Sequence, residues 1–140
     1  MNIINVLFSK EYYKGVLIKL IDIKRETQSE EDKAYRRLIE QYIVAADSFI
    51  VNRPNFKLHT IIAGYPWFLD WGRDSMIAFE GLLLIPKRFD IAREVLLTFV
   101  RDVKFGLVPN GYSGYDNRPL YNSVDASLLL FEQIRKYLQY

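Results

Sequence analysis

The sequence predicts an all-α chain, a partial α/α toroid of about five helices with a short extended segment before one aromatic loop. Three observations predict it. Apolar residues recur at helical spacing in five segments. Two of these segments are apolar nearly all round and alternate with two-sided ones, as buried and outer helices do. Both apolar segments carry their polar residues at the N-terminal end: Arg73 and Asp74 on one, Asn122 and Asp125 on the other. Connected helices run antiparallel, so alternate helices point the same way and both polar ends lie on one rim.

The elements follow in order. Residues 1–8 are short and apolar, fitting a strand or an ordered tail. Glu11 to Lys24 places Val16, Leu17, Leu20 and Ile21 at helical spacing. Arg25 to Glu31 is polar and reads as a turn. Ser29 offers an N-cap, with Glu30, Glu31 and Asp32 where the helix dipole favours acids. That second helix runs from about Glu30 to about Ile50, with Leu38, Tyr42, Ala45 and Phe49 on one face. Pro54 cannot continue it. Lys57 to Ala63 is rich in β-branched residues and reads as a short strand. A helix apolar on all sides runs from Arg73 or Asp74 to Leu84, stopped by Pro86. The next, about Phe89 to Lys104, sets Phe89, Ala92, Leu96, Phe99 and Val103 against a charged face. Gly106 to Tyr121 reads as a long loop, a length uncommon without a function. The last helix starts near Asn122.

Composition bounds the function. Half of the 140 residues are hydrophobic and 15% are aromatic, too apolar for a disordered chain and enough for a single domain over 1–140. The net charge is only +2 and no basic block stands out, which argues against nucleic acid. No apolar run reaches the ~20 residues of a membrane span. Met1 to Lys10 lacks the pattern of a signal peptide. There is no cysteine, which is compatible with a reducing cytoplasm, the expected location. His59 is the only histidine, so neither a histidine metal site nor a Ser–His triad is supported. No phosphate loop or dinucleotide fingerprint occurs, and no cofactor or metal is expected.

The chemistry concentrates in Gly64-Tyr65-Pro66-Trp67-Phe68-Leu69-Asp70-Trp71-Gly72-Arg73-Asp74, which holds both tryptophans of the chain. Aromatic faces stack on the C–H face of a sugar ring while their polar edges still find partners. Arg and Asp make the directed, charge-assisted hydrogen bonds that suit hydroxyl-rich ligands. A carboxyl group walled in by tryptophan can stay protonated near neutral pH and act as a general acid. Each residue also has a plainer reading. Trp67 and Trp71 are a sugar platform or core. Asp70 binds hydroxyls or is a structural carboxylate. Arg73 orients sugar hydroxyls or a carboxylate, or closes a salt bridge. Asp74 can cap the helix it begins, a contribution of ~1 kcal/mol. Asn122 with Asp125 reads foremost as a capping-box variant, and otherwise places Asp125 on the same rim as Asp74. Glu80, in an apolar helix, needs a partner.

Thr60 to Ala78, which contains this stretch, resembles the signature of the glucosidase domain of the glycogen debranching enzyme family (amylo-α-1,6-glucosidases). Ala45 to Val51, Gly106 to Asn110 and Tyr121 to Leu128 resemble further family segments, in the right order. The resemblance covers about residues 40–135. It implies an N-terminal piece of an (α/α)6-barrel-like domain, acting on α-1,6 branch points of glycogen-like α-glucans. It implies Asp74 as general acid, and the residue types offer Trp67, Asp70, Trp71, Arg73, Asn122 and Asp125 as the candidates around the sugar. The second catalytic carboxylate, the base, is then expected beyond Tyr140, so the chain by itself lacks it. The expected partners are the glucan and either the remainder of the glucosidase domain or another copy of the chain. The alternative is a non-catalytic α-glucan-binding or self-associating helical module. Asn110 to Tyr115 is less typical of the family than its flanks, and Ser75 stands where Thr is more usual.

Overall fold

The computed structural model describes residues 29–140, and the helix expected over Glu11–Lys24 lies outside them. The chain divides into two compact units, Met1–Ser48 and Phe49–Tyr140. In the first, helix α1 spans Glu30–Asp47, as the Ser29 cap and the acidic first turn predict, but it stops short of Ile50.

The second unit overturns the all-α expectation. Ile50–Arg53 forms β1 and Leu58–Ile61 forms β2, antiparallel, with Ile50 opposite Ile61 and Arg53 opposite Leu58. Pro54 opens the connecting turn, and Lys57 closes it at φ 54°. The β-branched pair Ile50-Val51 fits a half-buried strand better than a helix end. The expected long loop also contains pairing. Gly111–Tyr112 (β3) pairs antiparallel with Pro119–Leu120 (β4). The architecture is therefore mixed α and β: four helices and two small antiparallel sheets among the described residues.

Helix α2 spans Gly72–Phe79 and passes directly into a π turn over Glu80–Leu84. The amides of Ile85 and Arg88 donate five residues back, to Glu80 and Leu83. Pro86 has no N–H to give, so the chain cannot continue as an α-helix and turns at Ile85–Lys87. Helix α3 (Phe89–Val100) packs on the β1–β2 hairpin, and α4 (Asp125–Tyr137) packs on α2. Their shared core is built from Ile61, Met76, Phe79, Leu83, Val95, Phe99, Tyr112 and Leu130, among others. The Tyr112 ring meets Phe56 edge-on at 5.2 Å, and its hydroxyl donates to the Thr98 carbonyl at 2.7 Å. Burial, with Asp102 nearby, pushes that phenol well above its ordinary range.

One expectation about the apolar helices changes. α2 and α4 are not enclosed on all sides: Ile77 is 65%, Leu128 67% and Phe131 73% exposed. The second unit covers one face of each helix and leaves the other open. Glu80 finds its partners on α4 and just beyond it. Lys136 forms an ion pair with it, and the Tyr140 hydroxyl donates to it at 3.0 Å. These bonds lower the Glu80 pKa, and the pairing raises that of Lys136.

Candidate functional site

The aromatic loop is held at both ends. At its start, the Ala63 amide donates to the Leu69 carbonyl at 3.0 Å and the Phe68 amide to Gly64 at 2.9 Å, so residues 64–68 form a tight turn. Trp67 stands at its tip, 86% exposed, because a five-residue turn has no interior in which to bury an indole. The loop returns inward at Asp70, which is 1% exposed. A carboxylate so buried requires compensation. Arg53 supplies it with a two-pronged pair, Nε donating to Oδ2 at 2.9 Å and Nη2 to Oδ1. The Thr60 hydroxyl donates to Oδ2 at 3.1 Å. Asp70 therefore anchors the loop from below, its oxygens spent on protein donors.

Trp71 is the next residue out. It bridges to Gly111, and a Cβ at Gly111 would lie 3.4 Å from Trp71 Cε3. The missing side chain lets the indole rest against the backbone. Trp67, Phe68 and Trp71 line a cleft of about 210 Å³, with Tyr112 and Leu120 from the β3–β4 hairpin on its other side. The sequence reading took both tryptophans as platform or core. Trp67 is exposed, Trp71 half-buried, and both line this cleft.

Helix α2 begins at Gly72, earlier than Arg73 or Asp74, because Trp71 takes the N-cap position with no side-chain cap. The Gly72 amide donates to the Asn110 carbonyl at 2.7 Å. Asn110 is nearly buried and joins three segments. Its Oδ1 accepts from the Arg73 amide at 3.4 Å, and its Nδ2 donates to Asn122 Oδ1 at 3.2 Å. Asn122 thus belongs to this polar network, while α4 itself begins three residues later.

Arg73 Nε donates to Asp125 Oδ2, so the two polar helix ends do meet. Asp125 Oδ1 accepts from the Ser123 hydroxyl and from its own neighbour's amide, Ala126 N, at 2.9 Å. The Arg73 guanidinium and the Ser123 hydroxyl hold the Asp125 carboxyl down at about 2, and the same pairing raises Arg73. Val124 takes the N-cap position of α4 with no side-chain cap, and the Ala126 amide is met by Asp125 and Ser123 rather than by Asn122. Asp74 is different from both other aspartates. It lies in the first turn of α2, exposed rather than enclosed by tryptophan, and its carboxylate accepts no hydrogen bond among the described residues. It stands at the helix N-terminus beside Arg73.

Sequence reasoning missed Arg53, Thr60, Asn110 and Ser123. One signal was available: an Asp inside an apolar loop demands a cation, and Arg53 is the nearest arginine before it, with Lys57 nearer still. Only the hairpin brings the two together.

Comparison with known proteins gives the family. The family described as amylo-alpha-1,6-glucosidase matches residues 44–140. The chain is 34% identical over 90 residues to the glycogen debranching enzyme of Saccharomyces cerevisiae, an alignment covering 61% of this chain and 6% of that protein. No solved structure matches. Among the described residues no helix is long and apolar enough to cross a membrane. The family match takes in the aromatic loop, the Arg73–Asp125 pair and Asp74 together, and the chain belongs to the amylo-α-1,6-glucosidase family.

Proposed function

We propose that this chain carries the acid side of a glucosidase that hydrolyses α-1,6 branch points in glycogen-like α-glucans. One observation carries the assignment of Asp74 as the acid. Of the three aspartates around the loop, Asp70 is consumed by Arg53, and Asp125 by Arg73 and Ser123. Asp74 alone is exposed with an uncommitted carboxylate. It projects from a helix start whose preceding residues line the aromatic cleft. In this reading Trp67 and Trp71 stack on glucose rings, and Arg73 and Asn122 meet hydroxyls. Hydrolysis with inversion needs a second carboxylate about 6.5–9.5 Å from the acid, with water between. With Asp70 held by Arg53 and Asp125 by Arg73 and Ser123, this reading takes the base from outside these residues.

The test is glucose release from an α-1,6-branched dextrin by this sequence carried within a complete glucosidase domain. Asp74→Asn abolishes release while the fold survives. Retained turnover would remove Asp74 as the acid. A second reading, a glucan-binding or self-associating module without catalysis, draws on the open apolar faces at Ile77, Leu128 and Phe131. Saturable oligosaccharide binding with no glucose release from the complete domain would favour it.

A further inference from the structure

We propose that Arg53 is a positioning residue for the sugar cleft, coupling the tryptophan loop to the neighbouring loop Ser113–Arg118. The inference rests on reading the aromatic cleft as a glucan site. Arg53 lies at the end of β1, outside the aromatic stretch, yet its guanidinium reaches three separate parts of the unit. Two nitrogens grip Asp70, one residue before Trp71. The third, Nη1, donates to Asn117 Oδ1 in the loop between β3 and β4. The planar cation also sits 5.0 Å from the ring centroid of Tyr112, which lines the aromatic cleft, and 5.3 Å from that of Phe56. Its side chain is only 13% exposed.

These contacts fix the cleft from both sides. Asp70 sets where the polypeptide turns from Leu69 into Trp71, and Leu69 and Tyr112 form parts of the cleft wall. The Ser113–Arg118 loop is closed by its own bonds, Ser113 N to Arg118 O at 2.9 Å and Asn117 N to Ser113 O at 3.0 Å. Its link to the tryptophan loop runs through Arg53 and through Gly114 against Leu69. Only arginine offers three donors in a rigid plane. Lysine keeps the charge but can satisfy neither the two-pronged pair nor the third bond in that geometry. A platform held in place before the ligand arrives binds with less ordering cost.

The experiment compares the 140-residue chain with Arg53→Lys and Asn117→Gly. Glycine removes the Asn117 acceptor while tolerating the φ of 55° at that position. Two measurements use the fact that Trp67 and Trp71 are the only tryptophans. The first is acrylamide quenching without ligand, and the second is titration with a branched maltooligosaccharide. Circular dichroism and the melting temperature report folding. Arg53→Lys, still folded, is expected to raise quenching and weaken glucan binding about tenfold, the effect of one lost charge-assisted contact. Asn117→Gly is expected to move both readouts the same way by less. A lowered melting temperature with unchanged quenching and affinity in the folded protein would make Arg53 merely structural and overturn the proposal. Should Arg53→Lys not fold, unchanged quenching in Asn117→Gly overturns the coupling. If the unaltered chain gives no glucan response, the sugar-site reading fails, while quenching still decides whether Arg53 positions the tryptophans.

Discussion

Replacing Gly72 by alanine sets two effects of opposite sign against each other. Gly72 is the first residue of α2, and helix propensity alone favours alanine over glycine by up to about 1 kcal/mol. Part of that gain comes from the less flexible unfolded chain. The surroundings oppose it. A Cβ at Gly72 would sit 2.6 Å from the Pro109 carbonyl oxygen and 3.3 Å from both Asn110 Cα and Ala126 Cβ. Two of these neighbours are backbone and cannot rotate aside. Overpacking of this kind costs about 1–3 kcal/mol. Relieving it pushes the helix start away from the 109–110 segment and lengthens the Gly72 N to Asn110 O bond of 2.7 Å, a further ~1 kcal/mol. The net expectation is destabilisation by about 1–3 kcal/mol, a fall in melting temperature of about 4–8 °C for each kcal/mol in a domain of this size. Gly81 is the control. It lies in the π turn, and a Cβ there meets nothing within 4 Å. Gly81→Ala is expected to stabilise by about 0.4–1 kcal/mol. Urea and thermal unfolding followed by circular dichroism measure both. A Gly72→Ala protein as stable as Gly81→Ala would refute the close approach of α2 to the Pro109–Asn110 segment.

Two other outcomes follow from the ion pairs. Asp70→Ala leaves a nearly buried Arg53 without its carboxylate and Thr60 without its acceptor, and is expected to cost about 3–5 kcal/mol in urea unfolding. The double variant with Arg53→Met should cost less than the sum of the single changes, because it removes the orphaned charge. The Asp125 carboxyl is expected to titrate near 2 by NMR, and Arg73→Gln should move it up towards 3.8. Its folded value lies below its unfolded one. Whatever it contributes is therefore present in full above about pH 4 and is lost as the pH falls through about 2.

Much of the site was readable from residue types. The aromatic loop, the helix starting beside Arg73 and the polar start of α4 are local features. Gly64-Tyr65-Pro66 can only turn, and the apolar run after Asp74 can only be a helix between its loop and Pro86. The two amphipathic segments behaved likewise, since a charged stripe opposite an apolar one needs no knowledge of the partner. The strand Leu58–Ile61 lies within the expected Lys57–Ala63 segment, but the strand Ile50–Arg53 that pairs with it was not readable. That strand has four residues, two per face, and follows a helix whose apolar spacing runs on to Phe49. The pairing of Gly111–Tyr112 with Pro119–Leu120 is shorter still.

The sequence by itself determined where the helices lie to within a few residues and which residues could do chemistry, because turn stereochemistry and hydrophobic period act over a few neighbours. Only the tertiary structure decided how the three aspartates differ. Asp70, Asp74 and Asp125 are the same side chain, and nothing local separates them. Arg53 closes on Asp70 through a hairpin, and Arg73 meets Asp125 across 52 positions. Coulombic pairing depends on distance in space rather than along the chain. Folding spends two of the carboxylates on arginines and leaves Asp74 uncommitted.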